Sequence, residues 1–167
     1  MPRPRMAHSL EEYLQSGPDT RLLERQASRL TARKALRFHR EHGGSTFNLF
    51  FGNLAHQHLY SVSIYPERSR RIPSHLLTED ALELFIEGNL DLLSDPRCCL
   101  GTWEEDGHVY LDISAVLESS EQAIRLGMQY NQIAIYDLRK GAVIDTGGTG
   151  DLIFNLPPEP ERLPPLP

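Results

Sequence analysis

The chain has 167 residues, 17 Lys/Arg against 23 Asp/Glu, a net charge of −6, and 40% apolar and 24% charged residues. That length suits one domain of about 100–200 residues, and the composition excludes collagen-like, mucin-like and wholly disordered chains. No apolar run approaches the roughly 18–20 residues of a membrane span.

Met1-Pro2-Arg3-Pro4-Arg5 leads into no apolar stretch, so no signal peptide is expected. Ser9-Leu10-Glu11-Glu12 has the form of a capping box, which predicts a short helix stopped by Gly17-Pro18. Asp19 or Thr20 then caps a second helix running to about Glu41. Leu22, Leu23, Ala27, Leu30 and Leu36 supply its apolar spacing, and His42-Gly43-Gly44 supplies a glycine end.

Beyond residue 43 the period changes. Residues 46–51 are rich in strand formers, and in 59–65 Tyr60, Val62 and Ile64 alternate with Ser61 and Ser63. A hairpin between these two segments is expected. Pro66 ends the second of them, and 68–72 reads as a short edge strand. Thr78-Glu79-Asp80 opens a third helix with the apolar stripe Leu82, Phe85, Ile86, Leu90 and Leu93. Glu105-Asp106-Gly107 predicts a hairpin between 100–103 and 108–113. Ser119 caps a fourth helix to about Tyr130, and the strands 133–136 and 142–144 follow. From Pro157 onward six of eleven residues are proline. Hairpins without regular strand–helix alternation predict an α+β fold, with four helices and a mostly antiparallel sheet built from two hairpins. The expected division is a helical segment over 1–42, an α+β core over 43–151 and a disordered proline-rich tail over 152–167.

The net charge hides an asymmetry. Residues 1–42, 43–78, 79–151 and 152–167 carry +4, +2, −11 and −1. Such a split marks either two partners of opposite charge or two regions that attract each other.

Several motifs lose to plainer readings. Ala142-Val143-Ile144-Asp145-Thr146-Gly147 has the D-T-G form of retroviral-type aspartic proteases, but too little chain follows to complete that fold. Gly147-Gly148-Thr149-Gly150 lacks the lysine and helix of a phosphate loop, and reads as a flexible exit from the last strand. His56 with His58, and His39 with His42, lack further ligands for zinc. Cys98 and Cys99 are adjacent, have no activating base and suit a reducing compartment. The arginine-rich segment 21–40 shows no aromatic interleaving, so nucleic-acid binding is not expected. Arg162-Leu163-Pro164-Pro165 resembles an SH3 ligand with its arginine one residue too close to the prolines. No catalytic residue, cofactor or metal site is assigned.

Tyr65-Pro66-Glu67-Arg68-Ser69 places an aromatic ring, an acid, a guanidinium and a hydroxyl after a rigid strand. Tyr65, Glu67, Arg68 and Ser69, with Trp103, are the candidate ligand- or partner-binding residues. Asp112 lies between Leu111 and Ile113 and reads as solvent-facing.

Three segments carry a resemblance. They are Gly44-Ser45-Thr46-Phe47-Asn48-Leu49-Phe50-Phe51-Gly52-Asn53-Leu54; Tyr60-Ser61-Val62-Ser63-Ile64-Tyr65-Pro66-Glu67-Arg68-Ser69; and Gly101-Thr102-Trp103 through Tyr110-Leu111-Asp112-Ile113-Ser114 to Asn131-Gln132-Ile133-Ala134-Ile135-Tyr136-Asp137. Over residues 43–150 the chain resembles a family of small uncharacterised bacterial proteins with cyanobacterial and phage or mobile-element members. The resemblance implies a bacterial or phage origin and a cytoplasmic setting, and supplies neither a substrate nor catalytic residues. The leading expectation is a non-enzymatic accessory protein that binds a protein partner, with homo-oligomerisation open. The alternatives are a small enzyme or polar-ligand binder using the 65–69 turn, and a phage-type inhibitor whose acidic 79–151 surface mimics nucleic acid.

Overall fold

The computed structural model describes residues 20–165, with side chains from residue 24. The helix expected from the 9–12 capping box lies outside the described residues. The first described element is α1 (Thr20–His42), followed by β1 (Gly44–Asn48), β2 (Gly52–Asn53), β3 (Tyr60–Ser63) and β4 (Arg70–Pro73). Then come α2 (Glu79–Gly88), α3 (Leu90–Leu93), β5 (Cys98–Glu105), β6 (His108–Leu117), α4 (Ser120–Gln129), β7 (Ala134–Asp137) and β8 (Ala142–Asp145). The fold is α+β, and all pairings of its eight strands are antiparallel. Among the described residues no helix is long and apolar enough to cross a membrane.

Local signals set the element ends. Thr78 Oγ1 accepts from Ala81 N and Ser119 Oγ from Gln122 N, so each satisfies an orphan amide at a helix start. Gly43 ends α1 with φ +78° and donates to the His39 carbonyl. The Asp106-Gly107 turn, with both residues at positive φ, joins β5 to β6 as expected. The helix expected over 78–93 is interrupted. Asn89 turns its amide back onto the Phe85 carbonyl and separates α2 from α3.

Strand order is β2-β1-β5-β6-β3-β7-β8, with β4 also on β6. β1 turns back on the two-residue β2 and pairs along its other edge with β5, while β3 lies between β6 and β7. The 46–51 segment therefore pairs with strands other than 59–65. The Asn48 side chain drives this tight turn, its Oδ1 accepting from the amides of Phe50 and Phe51.

Alternation separates the two faces of the sheet. Val62, Ile64, Leu100, Val109, Leu111, Ile113 and Ala115 point inward, into one core with Ala32, Ala35, Leu82 and Ile86 from α1 and α2. His39 of α1 is buried there, its Nδ1 2.9 Å from Thr102 Oγ1, and burial lowers its pKa. On the opposite face, Leu54, Cys99 and Leu138 form a small second cluster under the 49–59 loop.

The two oppositely charged regions fold onto each other. Arg29 pairs with Glu83 and Arg33 with Glu79 across the α1–α2 seam, and Arg68 pairs with Asp91. The seam pairs are solvated, so each adds no more than about 1 kcal/mol.

Cys98 and Cys99 open β5 fully buried, and burial raises their thiols to about 11 and about 12, so both are protonated packing groups at neutral pH. The expected exit from β8 needs correction. The 147–150 glycine run is not a loose exit. Asn131, at φ +53°, donates through Nδ2 to Thr149 Oγ1 and accepts from the Thr149 amide, while the Asn131 carbonyl accepts from Gly150 N. A Cβ at Gly148 would lie 2.2 Å from the Gln132 carbonyl oxygen.

Candidate functional site

Beyond residue 151 the chain was expected to be a disordered tail, yet residues 157–164 lie against the 64–68 region. Three guanidiniums hold them. Arg162, with its side chain only 4% exposed, projects from the tail into the body. It donates to both carboxylate oxygens of Glu67 at 2.6 and 2.7 Å and to the Ile64 carbonyl at 3.0 Å. Its Nε donates to Pro157 O, and its guanidinium sits over the rings of Tyr65 and Tyr130, 5.6 and 5.8 Å from their centroids. From the body, Arg68 forks onto Glu159 at 2.7 and 2.9 Å and onto Asp91 at 2.7 and 3.1 Å, and reaches Asn89 as well. Arg97, paired with Asp95, donates to the Pro164 carbonyl at 2.8 Å.

The local sequence explains this geometry. Pro66 starts the Pro66–Arg68 turn with its preset φ, which brings Glu67 and Arg68 to the end of the sheet. Pro157, Pro158 and Pro160 each fix φ and so lower the entropy lost on docking. The turn Glu159–Glu161 then presents Arg162. A planar fork matched to a carboxylate satisfies this buried cation's donors in a way lysine would not.

The five candidate residues divide between two places. Tyr65 is fully buried, and burial with the neighbouring Cys98 thiol pushes its phenol up. Glu67 and Arg68 are both engaged by the tail. Ser69 and Trp103 meet instead on the outer face of β5–β6, where the Ser69 hydroxyl donates to Asp112. Trp103, 42% exposed, stacks on Tyr110 at 4.5 Å. Asp112 does face away from Leu111 and Ile113, but it is partly buried rather than open to solvent. Burial pushes its carboxyl above the usual aspartate range, against hydrogen bonds from Ser69 and Trp103. Gly101, its cross-strand partner, leaves room on that face.

Arg162, Glu159 and Arg97 were not among the candidates. The available signal was an arginine embedded among prolines, which has the form of a peptide-ligand motif. Its receptor here is the chain's own 64–67 region.

The Arg162 guanidinium holds the Glu67 carboxyl below its ordinary value, and Arg68 does the same to Asp91. Both groups have depressed folded-state values, so their stabilisation is present above the unfolded values near 4 and disappears as pH falls through the folded ones. The tail is therefore expected to stay docked from neutral pH to about pH 5 and to detach progressively below about pH 4. The Arg162 Nε–H resonance, slow to exchange while docked, measures this directly.

Among the described residues no group of three or more His, Cys, Asp or Glu side chains could hold a metal ion. A shallow cavity of about 120 Å³ is lined by Tyr60, Glu118, Asp137 and Arg139, and a wider groove of about 360 Å³ by Arg33, Arg37, Arg40 and Glu79. Comparison with known protein families, with curated proteins and with solved structures gives no match to this chain.

Proposed function

We propose that the chain is a small accessory protein that binds a protein partner along the outer edge of β8, without catalysing a reaction. The observation that carries this reading is a strand edge left uncovered among the described residues, with exposed apolar side chains beside it. Val143, 69% exposed, is the cross-strand partner of Tyr136, which is also exposed. β8 ends the strand order, and Thr146 N donates to Ile133 O. That register turns the Ala142 and Ile144 amides toward β7 and leaves the peptide groups of Val143 and Asp145 facing outward. An unpaired edge lacking lysine and proline is a template for an added strand, and exposed apolar side chains beside it mark an interface. The occupant that fits is an extended partner segment with alternating apolar residues. The setting is the bacterial or phage cytoplasm that the resemblance implies.

The polar-ligand alternative at the 65–69 turn is less favoured, because a ligand there would have to displace the tail from Glu67 and Arg68. The nucleic-acid mimic is less favoured because the chain's own arginines partner Glu79, Glu83 and Asp91.

Val143→Lys with Tyr136→Ser is expected to abolish partner binding and change stability by less than about 1 kcal/mol, since both sites are exposed. A protein retained from source-cell extract by the native chain would be purified and its Kd measured against both chains. At least tenfold weaker binding by the variant supports the reading; equal binding, or nothing retained by the native chain, contradicts it.

A further inference from the structure

The docked tail is a single continuous piece, residues 157–164, and its polar contacts beyond itself fall on the body between Ile64 and Arg97. The connector before it is held more loosely, with Leu156 at its end packed against the core. Among the described residues, none of 152–156 donates or accepts a hydrogen bond. Leu152 is 61% exposed, Phe154 is 94% exposed, and Asn155 adopts φ +64°. A hydrogen-bonded loop at 146–151 therefore leads into an unbonded, apolar connector, which leads into a segment gripped by an arginine socket.

We propose that this C-terminal segment is exchanged between two copies of the chain. Arg162 of each copy fills the other's socket, formed by Glu67, the Ile64 carbonyl and the rings of Tyr65 and Tyr130. The docking contacts are the same within one chain and between two, so they do not decide between the forms. Two other properties do. Asn155 is a local hinge, because a left-handed residue that becomes extended redirects the chain. The bare Leu152 and Phe154 are covered only if something lies along the connector, and in the exchanged pair the two connectors run past each other. Five residues reach roughly 17 Å when extended, so exchange brings the two bodies together on this side. The arrangement is isologous, closes at two copies and buries the apolar connectors at its centre. It goes beyond the β8 reading and uses different residues, so a chain that stays monomeric could still bind a partner on β8.

Charge reversal separates the two forms. A full-length chain with Glu67→Arg and another with Arg162→Glu each face like charges at their own socket. An equimolar mixture of the two matches both sockets, but only by exchange. Light scattering at about 100 µM is expected to give single-variant monomers near 19.0 kDa and a mixture at twice that mass. The doubly reversed chain should behave as the wild type. Monomers in the mixture, or dimers of equal strength in each variant alone, would overturn the proposal. Wild-type chains supply a second readout that needs no variant. In a mixture of isotope-labelled and unlabelled copies, exchange predicts NOEs between Arg162 of one copy and the Tyr65 and Tyr130 rings of the other. Purely intramolecular NOEs at millimolar concentration would overturn it equally.

Discussion

Arg162→Ala is expected to release the C-terminal segment while leaving the sheet folded. Removing one partner from a buried ion pair costs about 3–5 kcal/mol where the other charge stays buried. Here the cost is smaller, because Glu67 is 38% exposed and regains water once the tail leaves. Charged hydrogen bonds contribute roughly 1.5–3 kcal/mol, so a shift of about 2 kcal/mol in the docking equilibrium is reasonable. That corresponds to roughly thirtyfold more undocked chain. A glutamate-specific protease cutting after Glu161 should then act about thirtyfold faster, since cleavage follows the open population when reclosing is fast. Arg162→Lys should fall between, keeping the charge but losing the fork onto Glu67 and the stacking between two tyrosine rings.

Gly148→Ala is expected to be the most damaging glycine substitution in the 147–150 run. Its Cβ would lie 2.2 Å from Gln132 O and 2.6 Å from the Asn131 carbonyl carbon, both backbone atoms with little freedom to retreat. Overpacking of this kind costs about 3 kcal/mol, a fall in Tm on the order of 10 °C for a chain of this size. Gly147→Ala is the control. It places a residue at φ +76° with nothing within 4 Å of the new Cβ, which costs about 1–2 kcal/mol. Thermal denaturation should rank Gly148→Ala below Gly147→Ala. The reverse ranking would show that the loop does not hold the Asn131 contact.

These two sites also show where sequence reasoning stopped. Features decided within a few residues were legible: the Thr78 and Ser119 caps, the Gly43 helix end, the Asp106-Gly107 turn and the alternation of 59–65. Each depends on local backbone geometry that a short window encodes. Features decided by distant partners were not. β1 finds β5 about fifty residues away, and Arg162 finds Glu67 at a separation of 95. Gly148 looked like loop punctuation because its requirement comes from Asn131 and Gln132, not from its own φ. The 65–69 turn reads in the sequence as a concentration of aromatic, charged and hydroxyl groups. Its occupant was missed because proline content alone suggested a tail unable to pack. Proline instead lowers the backbone entropy that the segment loses on docking, and three guanidiniums then fix it. The charge split likewise resolved only in three dimensions, where α1 lies along the acidic face of α2.

The most direct test of a self-occupied arginine socket is a double-mutant cycle between Glu67→Ala and Arg162→Ala. It is read as the cleavage rate after Glu161, each rate normalised to a free peptide of the same 155–165 sequence. The socket predicts a coupling of at least about 1.5 kcal/mol, with either single variant nearly as open as the double. Single variants that cleave at the wild-type rate, or effects that simply add, would contradict it.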